Sequence, residues 1–548
     1  MPSVTLLAVT EEAAKNRRLP LVVGLIGAVL TLIAARFGYP GLGNDATAYL
    51  AIADQLAAGD GFGYFLEDPV GVWPPAWPYT LAFFKWAFGV DPQYTGLAIN
   101  TVAIVGIAFV TDALMRMITT RRSLIAIGVI VGTLGPATIG QTYFVQTEPT
   151  FILLTLATFW AVIRFSQTHS WKFFSLAVGL QWISFLDRFV GLVSIGAVAL
   201  WFVFDRGFDG FRTRFRNGVV FFLAACVVPA LWIIRTWNVI GEPFGVRDSP
   251  VATYRLNAVD AVTSVGQYIH GYANYQPATG IIRLASLALL ALCGAIAIGL
   301  LMRAIRYRAE RDDAWTRNGT GIGDLLGHPV GLLVIYSAAH FLYMIYSAST
   351  IAFDPVNTRY LVPMFIPTLI AVLALVDRGA MVGVDPAGNR TRRDWFTKLV
   401  TIGLVGMLVL QVGVGLVRVS ASYWTDRAQR YNSAVAVDLQ ELDVYEAIPE
   451  SCNTLSNFPE FTYLAGVEAL RSPRIRKFAS TDQLRELETL RDDVDAGEEW
   501  CLIWIDEEVS GVFEHQPYQH PLETFDDEFA LEELATDSGV TIYAINPA

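Results

Sequence analysis

A chain of 548 residues that is 53% hydrophobic and only 16% charged, with a positive mean hydropathy, lies outside the soluble norm and reads as a polytopic membrane protein. Its formal net charge of −12 is uneven, with much of the acid after residue 440 in Asp492-Asp493, Glu498-Glu499, Asp506-Glu507-Glu508, Asp526-Asp527-Glu528 and Glu532-Glu533. That end reads as a water-exposed domain and argues against nucleic acid as a partner.

Lys15, Arg17 and Arg18 precede an apolar run at 19–37. No small-x-small cleavage site follows it, so it is expected to be a retained anchor with its N-terminus inside. The next stretch should lie outside the bilayer. There Tyr49, Ile52, Ala53 and Leu56 recur at helical spacing, and residues 46–58 are expected to form a short amphipathic helix with Asn44 or Asp45 at its start. Asp54 lies about half a turn out of phase with Asp45, so only one of the two can face a given cavity, and Asp45 is the one that shares its face with Tyr49. Gly59-Asp60-Gly61-Phe62-Gly63 looks faintly like a phosphate loop but follows no strand, and reads as the turn that ends the helix. After Trp73-Pro74-Pro75-Ala76-Trp77, the segment 77–90 is apolar but too short to cross and reads as a second interfacial helix.

Further apolar runs occupy 94–115, 123–141, 148–164, 172–187, 189–205, 218–237, 281–302, 329–347, 360–377 and 399–417. Together with 19–37 they make about eleven crossings. The positive-inside rule agrees with this order: loops placed inside hold Arg116, Arg121 and Arg122, then Arg164 and Lys172, then Arg206, Arg212, Arg214 and Arg216, then Arg303, Arg306, Arg308 and Arg311, then Arg378, Arg390, Arg392, Arg393 and Lys398. Eleven crossings from an inside start leave the C-terminus outside. The expected division is a transmembrane domain at 1–419, whose first outer loop at 38–92 carries the interfacial helices, and a small soluble extracytoplasmic α/β domain at 420–548. In the latter the texture alternates: strand 452–456, helix 461–466, helix 482–491, strand 501–505, helix 525–534 and strand 540–545.

Of the four cysteines, Cys226 and Cys293 sit in apolar spans as small buried thiols, while Cys452 and Cys501 fall near the starts of strand-like runs and could pair if their domain is outside the cell. His515 and His520 lack matching cysteines, so no metal site is assigned, and no cofactor is indicated. There is no Walker motif, no Ser-His-Asp constellation and no inside domain large enough for a nucleotide, so a nucleotide-activated substrate from the cytoplasm is not expected to be used directly.

Ionisable groups at membrane depth are costly and usually functional. Glu148 opens the fourth span, Arg188 joins the fifth to the sixth, Arg235 lies near the outer end of the seventh, and Arg359-Tyr360 opens the tenth. All fall on the outer side with Asp45, which points to one site of carboxylates and guanidinium groups at the outer surface. The planar fork of Arg suits a phosphate, because it can bind two oxygens at once. Plainer readings stand beside these: Asp45 or Asn44 as a helix cap, Asp187-Arg188 as a local pair, Arg235 snorkelling to headgroups, Asp354 neutralising Arg359, and Glu148 as a helix-start acid. Pro363 and Pro367 should kink the tenth span beside the site. Trp73 and Trp77 would stack on a sugar or join the interfacial aromatic belt.

These residues, in this order, resemble the polytopic GT-C glycosyltransferases, in the branch of the protein O-mannosyltransferases and the lipid A aminoarabinose transferases. The resemblance covers most of residues 18–380. It rests on Asn44-Asp45 with Tyr49, the Gly59–Phe62 turn, Pro74-Pro75, Thr147-Glu148, Asp187-Arg188, Trp232-Ile233-Ile234-Arg235-Thr236-Trp237-Asn238 with Gly241-Glu242-Pro243-Phe244, and Arg359-Tyr360-Leu361 with Pro363. Leu455-Ser456-Asn457-Phe458-Pro459 is similar to the start of the soluble domain that some members carry. The resemblance implies a sugar carried on a polyprenyl phosphate and transferred with inversion, at the outer face of the plasma membrane, to a cell-envelope glycan, lipid or protein. Asp45 would be the general base; Arg188, Arg235, Arg359 and Tyr360 would hold the donor phosphate; Tyr49, Trp73, Trp77 and Glu148 would line the substrate. In one respect the chain departs from the pattern. Several relatives have a Lys just before the paired prolines where this chain has Trp73, and the nearest Lys here is Lys85. A polyprenyl-lipid flippase and a membrane-anchored assembly protein are the rival classes. The clustering of charge at one surface rather than at the midplane speaks against the flippase.

Overall fold

The computed structural model describes residues 18–63, 71–245, 250, 252–271, 280–291, 326–351, 356–381, 394–425, 430–473, 485–506 and 520–548. Cys293, Asp354 and His515 lie outside the described residues.

Among the described residues, six helices are long and apolar enough to cross a bilayer: Pro92–Ile118, Arg122–Thr142, Glu148–Thr168, Phe211–Ile240, Pro329–Ala348 and Thr358–Asp377. Shorter apolar helices stand at Arg18–Ala34, Gly191–Phe204, Gly280–Ala291 and Val409–Ala421, and Trp171–Asp187 is helical as well. Some single apolar runs are interrupted. The run at 123–141 breaks at Gly135-Pro136, where proline can begin a new helix but cannot continue the old one. The run at 218–237 breaks at Cys226, which is half-buried. Pro363 and Pro367 both lie inside the last of the six long helices.

The bundle holds together by side-chain interdigitation: Phe159 packs edge-on against Tyr336 at 4.9 Å, and Trp201, Phe202, Phe221 and Ile366 are fully buried in the same core. One helix has no counterpart in the apolar runs. Tyr254–His270 is too polar to read as a span, because Asn257, Asp260, Ser264 and Gln267 form a row at helical spacing. That row is buried in the protein rather than turned to lipid. Asn257 Nδ2 donates to the Ala348 carbonyl at 3.0 Å.

Between Arg18–Ala34 and Pro92–Ile118 stand two helices, Asn44–Ala58 and Ala76–Phe88. Gly59, at a φ of 96°, ends the first in the left-handed conformation that glycine adopts without a Cβ clash. On the second, Phe83, Trp86 and Phe88 are exposed.

The C-terminal region carries a five-stranded mixed sheet with strands β1 (Asn453–Ser456), β2 (Leu470–Arg471), β3 (Trp500–Ile505), β4 (Ala530–Asp537) and β5 (Val540–Asn546), in the order β2-β1-β3-β5-β4. β1 runs parallel to β2 and β3, and β5 runs antiparallel to β3 and β4. Cys452 and Cys501 form a disulfide. The expected helix at 525–534 is corrected here: the helix is Leu522–Glu528, and Ala530 onward is strand β4. Ala, Leu and Glu favour helix locally, but Ser538 and Gly539, both at positive φ, make the tight turn that returns the chain as a hairpin. β4 is an edge strand with its glutamates in solvent and an irregularity between Glu533 and Ala535, features that keep an edge from pairing further.

The two parts share one core. Leu42, Ala46, Tyr49, Leu50, Trp77 and Val145 pack with Tyr431, Phe458, Phe461, Ile503 and Ile542 in a single buried cluster. The helix Pro459–Leu464 lies directly on Asn44–Ala58.

Candidate functional site

The site is built from the chain entry into Asn44–Ala58. Gly41 N–H donates to the Tyr143 carbonyl at 2.9 Å, and Val145 N–H donates to the Gly41 carbonyl at 3.2 Å. These bonds bridge residues 41–42 to the connection between Thr142 and Glu148. A Cβ on Gly41 would stand 2.5 Å from the Phe144 ring, so this approach needs glycine. Asn100 Nδ2 fixes the same connection by donating to the carbonyls of Phe144 at 2.8 Å and Gln146 at 3.0 Å. The start of one helix, with Asp45, is thereby laid beside the start of another, with Glu148.

Helix capping does not occupy Asp45. Gly43 is the N-cap and makes no side-chain cap, while Asn44 Oδ1 accepts from the Tyr431 hydroxyl at 2.7 Å. Asp45 instead receives Nη2 of Arg359. Nε of Arg359 donates to Glu148 Oε1 at 2.6 Å, and Arg188 Nη1 reaches the same oxygen at 2.8 Å. Arg188 Nη1 also donates to Thr147 Oγ1 at 2.9 Å. Two carboxylates and two guanidinium groups, supplied by four separated stretches of chain, thus form one network with Glu148 at its centre. Their side chains are 27% exposed at Asp45, 12% at Arg359, 19% at Arg188 and 1% at Glu148, so the network opens outward on the Asp45 side. Tyr49 is buried beside it, and that burial, with the Asp45 carboxylate adding to it, pushes its phenol above the usual range and keeps it neutral. Asp187 and Arg188 look to different partners: Asp187 accepts from Thr150 Oγ1 at 2.9 Å, while Arg188 turns to Glu148, which is also the acid in the first turn of its helix.

No protein-family model matches the chain, and no curated protein matches it. Solved structures do. ArnT from Cupriavidus metallidurans bound to undecaprenyl phosphate matches with a TM-score of 0.54 at 12% identity, over 96% of this chain and 97% of that one. Its apo state matches with a TM-score of 0.51 at 12% identity, over 98% of each chain. The arabinofuranosyltransferase AftD from Mycobacteria matches with a TM-score of 0.51 at 12% identity, over 97% of this chain but 42% of that one. All are GT-C glycosyltransferases. This chain has the GT-C fold.

Within that GT-C fold the remaining candidates divide. Tyr360 is buried, its ring 5.7 Å from the Arg359 guanidinium, and its carbonyl lies 2.9 Å from His340 Nε2. Arg235 makes no ion pair with Asp45 or Glu148. It lies over the rings of Trp232 at 5.0 Å and Phe62 at 5.8 Å, and its Nη1 is buried without a hydrogen-bond partner. Trp73 packs in this aromatic group and meets Tyr49 edge-on at 5.2 Å, so Tyr49 stands between the charged network and the group around Arg235. Trp77 is corrected as a sugar-stacking residue: at 2% exposure it belongs to the core shared with Leu42, Ala46 and Leu81, and no ring face is available.

Lys85 does not supply the cation that Trp73 replaces, because its Nζ pairs with Asp54 Oδ1 at 2.6 Å. Asp54 also accepts from the Tyr463 hydroxyl, so it binds the C-terminal region and stays out of the network. Among the described residues no three His, Cys, Asp or Glu side chains gather as a metal site. Thr147, Asn100 and Tyr431 escaped the sequence reading. Neutral side chains carry no charge pattern to find, and only Thr147, adjacent to Glu148, lay in a quoted motif.

Proposed function

We propose that this protein is an integral membrane glycosyltransferase that moves a sugar from a polyprenyl-phosphate donor to an acceptor hydroxyl at the outer face of the plasma membrane, with inversion. The observation that carries the reading is the joining of Asp45, Glu148, Arg188 and Arg359 in one half-open network. The GT-C fold shared with a protein solved with undecaprenyl phosphate supports it.

In this mechanism Asp45, the most exposed acid of the network, takes the proton from the acceptor hydroxyl as its oxygen bonds to the anomeric carbon. The bond from that carbon to the phosphate oxygen breaks, and its electron pair leaves with the phosphate. Attack from the face opposite the leaving group inverts the centre. Arg359 then has two anions to serve. While it holds Asp45 it occupies that carboxylate, and a donor phosphate that draws the guanidinium away frees the base only once the donor is in place. Glu148, buried between Arg188 and Arg359, keeps both forks aimed while charge grows on the leaving phosphate. Arg235, with a guanidinium hydrogen unclaimed and aromatic walls around it, is a second phosphate contact in the position a Lys would have served. Trp73, half-buried, lines the sugar between the two, with the buried Tyr49 ring behind it.

Topologically, the reading keeps the N-terminus inside, eleven crossings, the division between 1–419 and 420–548, and an outside C-terminal region. The Cys452–Cys501 disulfide supports that side, since such bonds persist in oxidising compartments. Partners on this reading are the lipid-linked donor, membrane lipids and an envelope glycan, lipid or protein acceptor.

The test is Asp45→Asn in membranes given a radiolabelled polyprenyl-phosphate sugar. Loss of transfer by at least about a hundredfold, the scale of general base catalysis, with the protein still folded is the expected result. Transfer that survives removes Asp45 as the base. Lipid translocation with no turnover in the wild-type protein would support the flippase instead.

A further inference from the structure

The residues immediately before Asp45 are held from a second side. Leu42 bridges Arg430, and the Tyr431 N–H donates to the Leu42 carbonyl at 3.1 Å, while Gly41 bridges Phe144. Successive residues of an extended segment turn their backbone groups to alternate sides, so residues 41–42 lie between the two neighbours as a short central strand. Tyr431 then adds its hydroxyl to Asn44 Oδ1 at 2.7 Å. Asn432 Nδ2 reaches the Pro40 carbonyl at 3.1 Å and Gln93 Oε1 at 3.0 Å.

This strap is anchored in the C-terminal region. Gln440 Nε2 donates to the Tyr431 carbonyl at 2.7 Å, and the buried Tyr431 ring meets Phe461 at 5.8 Å. Further along the same helix, Asp54 is tied to Tyr463. The helix that presents Asp45 is therefore gripped at its first residue and again nearly three turns later, and a rod held at two points cannot turn about its axis.

We propose that Tyr431 is a positioning residue for Asp45, which deepens the reading of Asp45 as the base: by pinning Asn44 it sets where the next side chain stands relative to Glu148 and Arg359. The C-terminal region is on this view a working part of the transferase site, acting through the helix and not through the substrate.

Tyr431→Phe removes one hydroxyl and keeps the ring in its core. Hydrogen exchange of the backbone amides at 41–48 should quicken by about fivefold, the scale of one net hydrogen bond, with the exchange of strands β1, β3 and β5 unchanged. With radiolabelled undecaprenyl-phosphate arabinose and undecaprenyl-phosphate mannose as donors, kcat should fall by a similar factor while KM for the donor holds. Asn44→Ala should do the same, and the double variant should add nothing to either single change. Unaltered exchange in both single variants overturns the proposal, and so does faster exchange with kcat unchanged, which would leave Tyr431 a packing residue alone. A wild-type protein that turns over neither donor, nor any other polyprenyl-phosphate sugar, sinks the transferase reading. The exchange measurement then decides the strap alone, local quickening supporting it and its absence overturning it.

Discussion

Glu148 and Asp45 carry the same charge in different media. Glu148 is 1% exposed and shared by two arginines, while Asp45 is 27% exposed and bound to one. Removing one partner of a buried pair leaves the other desolvated and uncompensated, at about 3–5 kcal/mol, whereas a half-open pair is worth about 1 kcal/mol or less. Glu148→Gln is therefore expected to lower stability in detergent by about 3 kcal/mol, measured by denaturant unfolding. Asp45→Asn should lower it by no more than about 1 kcal/mol while cutting transfer by at least about a hundredfold. A reversed order of stability would show that Glu148 is not the centre of the network. Arg359→Lys keeps the charge but loses the fork that reaches Asp45 and Glu148 together. It should cost at least about tenfold in kcat/KM, on the scale of one charge-assisted hydrogen bond.

At the scale of elements, the site depends on how closely two helix entries approach. A Cβ on Gly41 would push into the Phe144 ring, and such overpacking costs about 1–3 kcal/mol. Gly41→Ala should accordingly slow transfer by separating Asp45 from Glu148, and Phe144→Leu in the same chain should restore part of the rate, as measured by single-turnover transfer. A slow double variant would mean that the spacing is not what the glycine protects. The expected helix 46–58 is present with its start moved to Asn44, because the periodicity of Tyr49, Ile52 and Ala53 is a local property of the chain. Strand β4 was illegible for the converse reason: its Ala, Leu and Glu favour helix, and only the hairpin with β5 overrides them.

On the scale of the whole molecule, the helices Asn44–Ala58 and Ala76–Phe88 and the C-terminal region fold against one another. Ala46, Tyr49, Leu50 and Ala53 are buried in the core that Tyr431, Phe458 and Phe461 complete. A chain ended after Thr425, where the helix Asp394–Thr425 stops, should therefore keep its bundle but expose that face, read as faster exchange across 41–58 and a tendency to aggregate in detergent. An unchanged exchange pattern would make the C-terminal region dispensable for the site. The Cys452–Cys501 bond joins the residue just before β1 to β3 across 49 residues. Replacing both cysteines with serine should destabilise the sheet by about 2–4 kcal/mol, seen as an earlier unfolding step.

Composition, the lengths of the apolar runs and the side on which the arginines fall were enough to read a polytopic chain and to nominate Asp45, Glu148, Arg188 and Arg359, because burial in lipid penalises charge wherever it is not used. Helix periodicity was enough to put Asp45 and Asp54 on different faces of one helix, where they meet different partners. Which of the nominated groups touch, that Arg235 stands among aromatic rings, that Trp77 is core, and that Tyr431 reaches back to Asn44 were decided only by tertiary structure. The longest of these contacts, Tyr431 with Asn44 and Arg359 with Asp45, join residues hundreds of positions apart through single hydrogen bonds, and no local pattern in the chain has to change for them to form or fail.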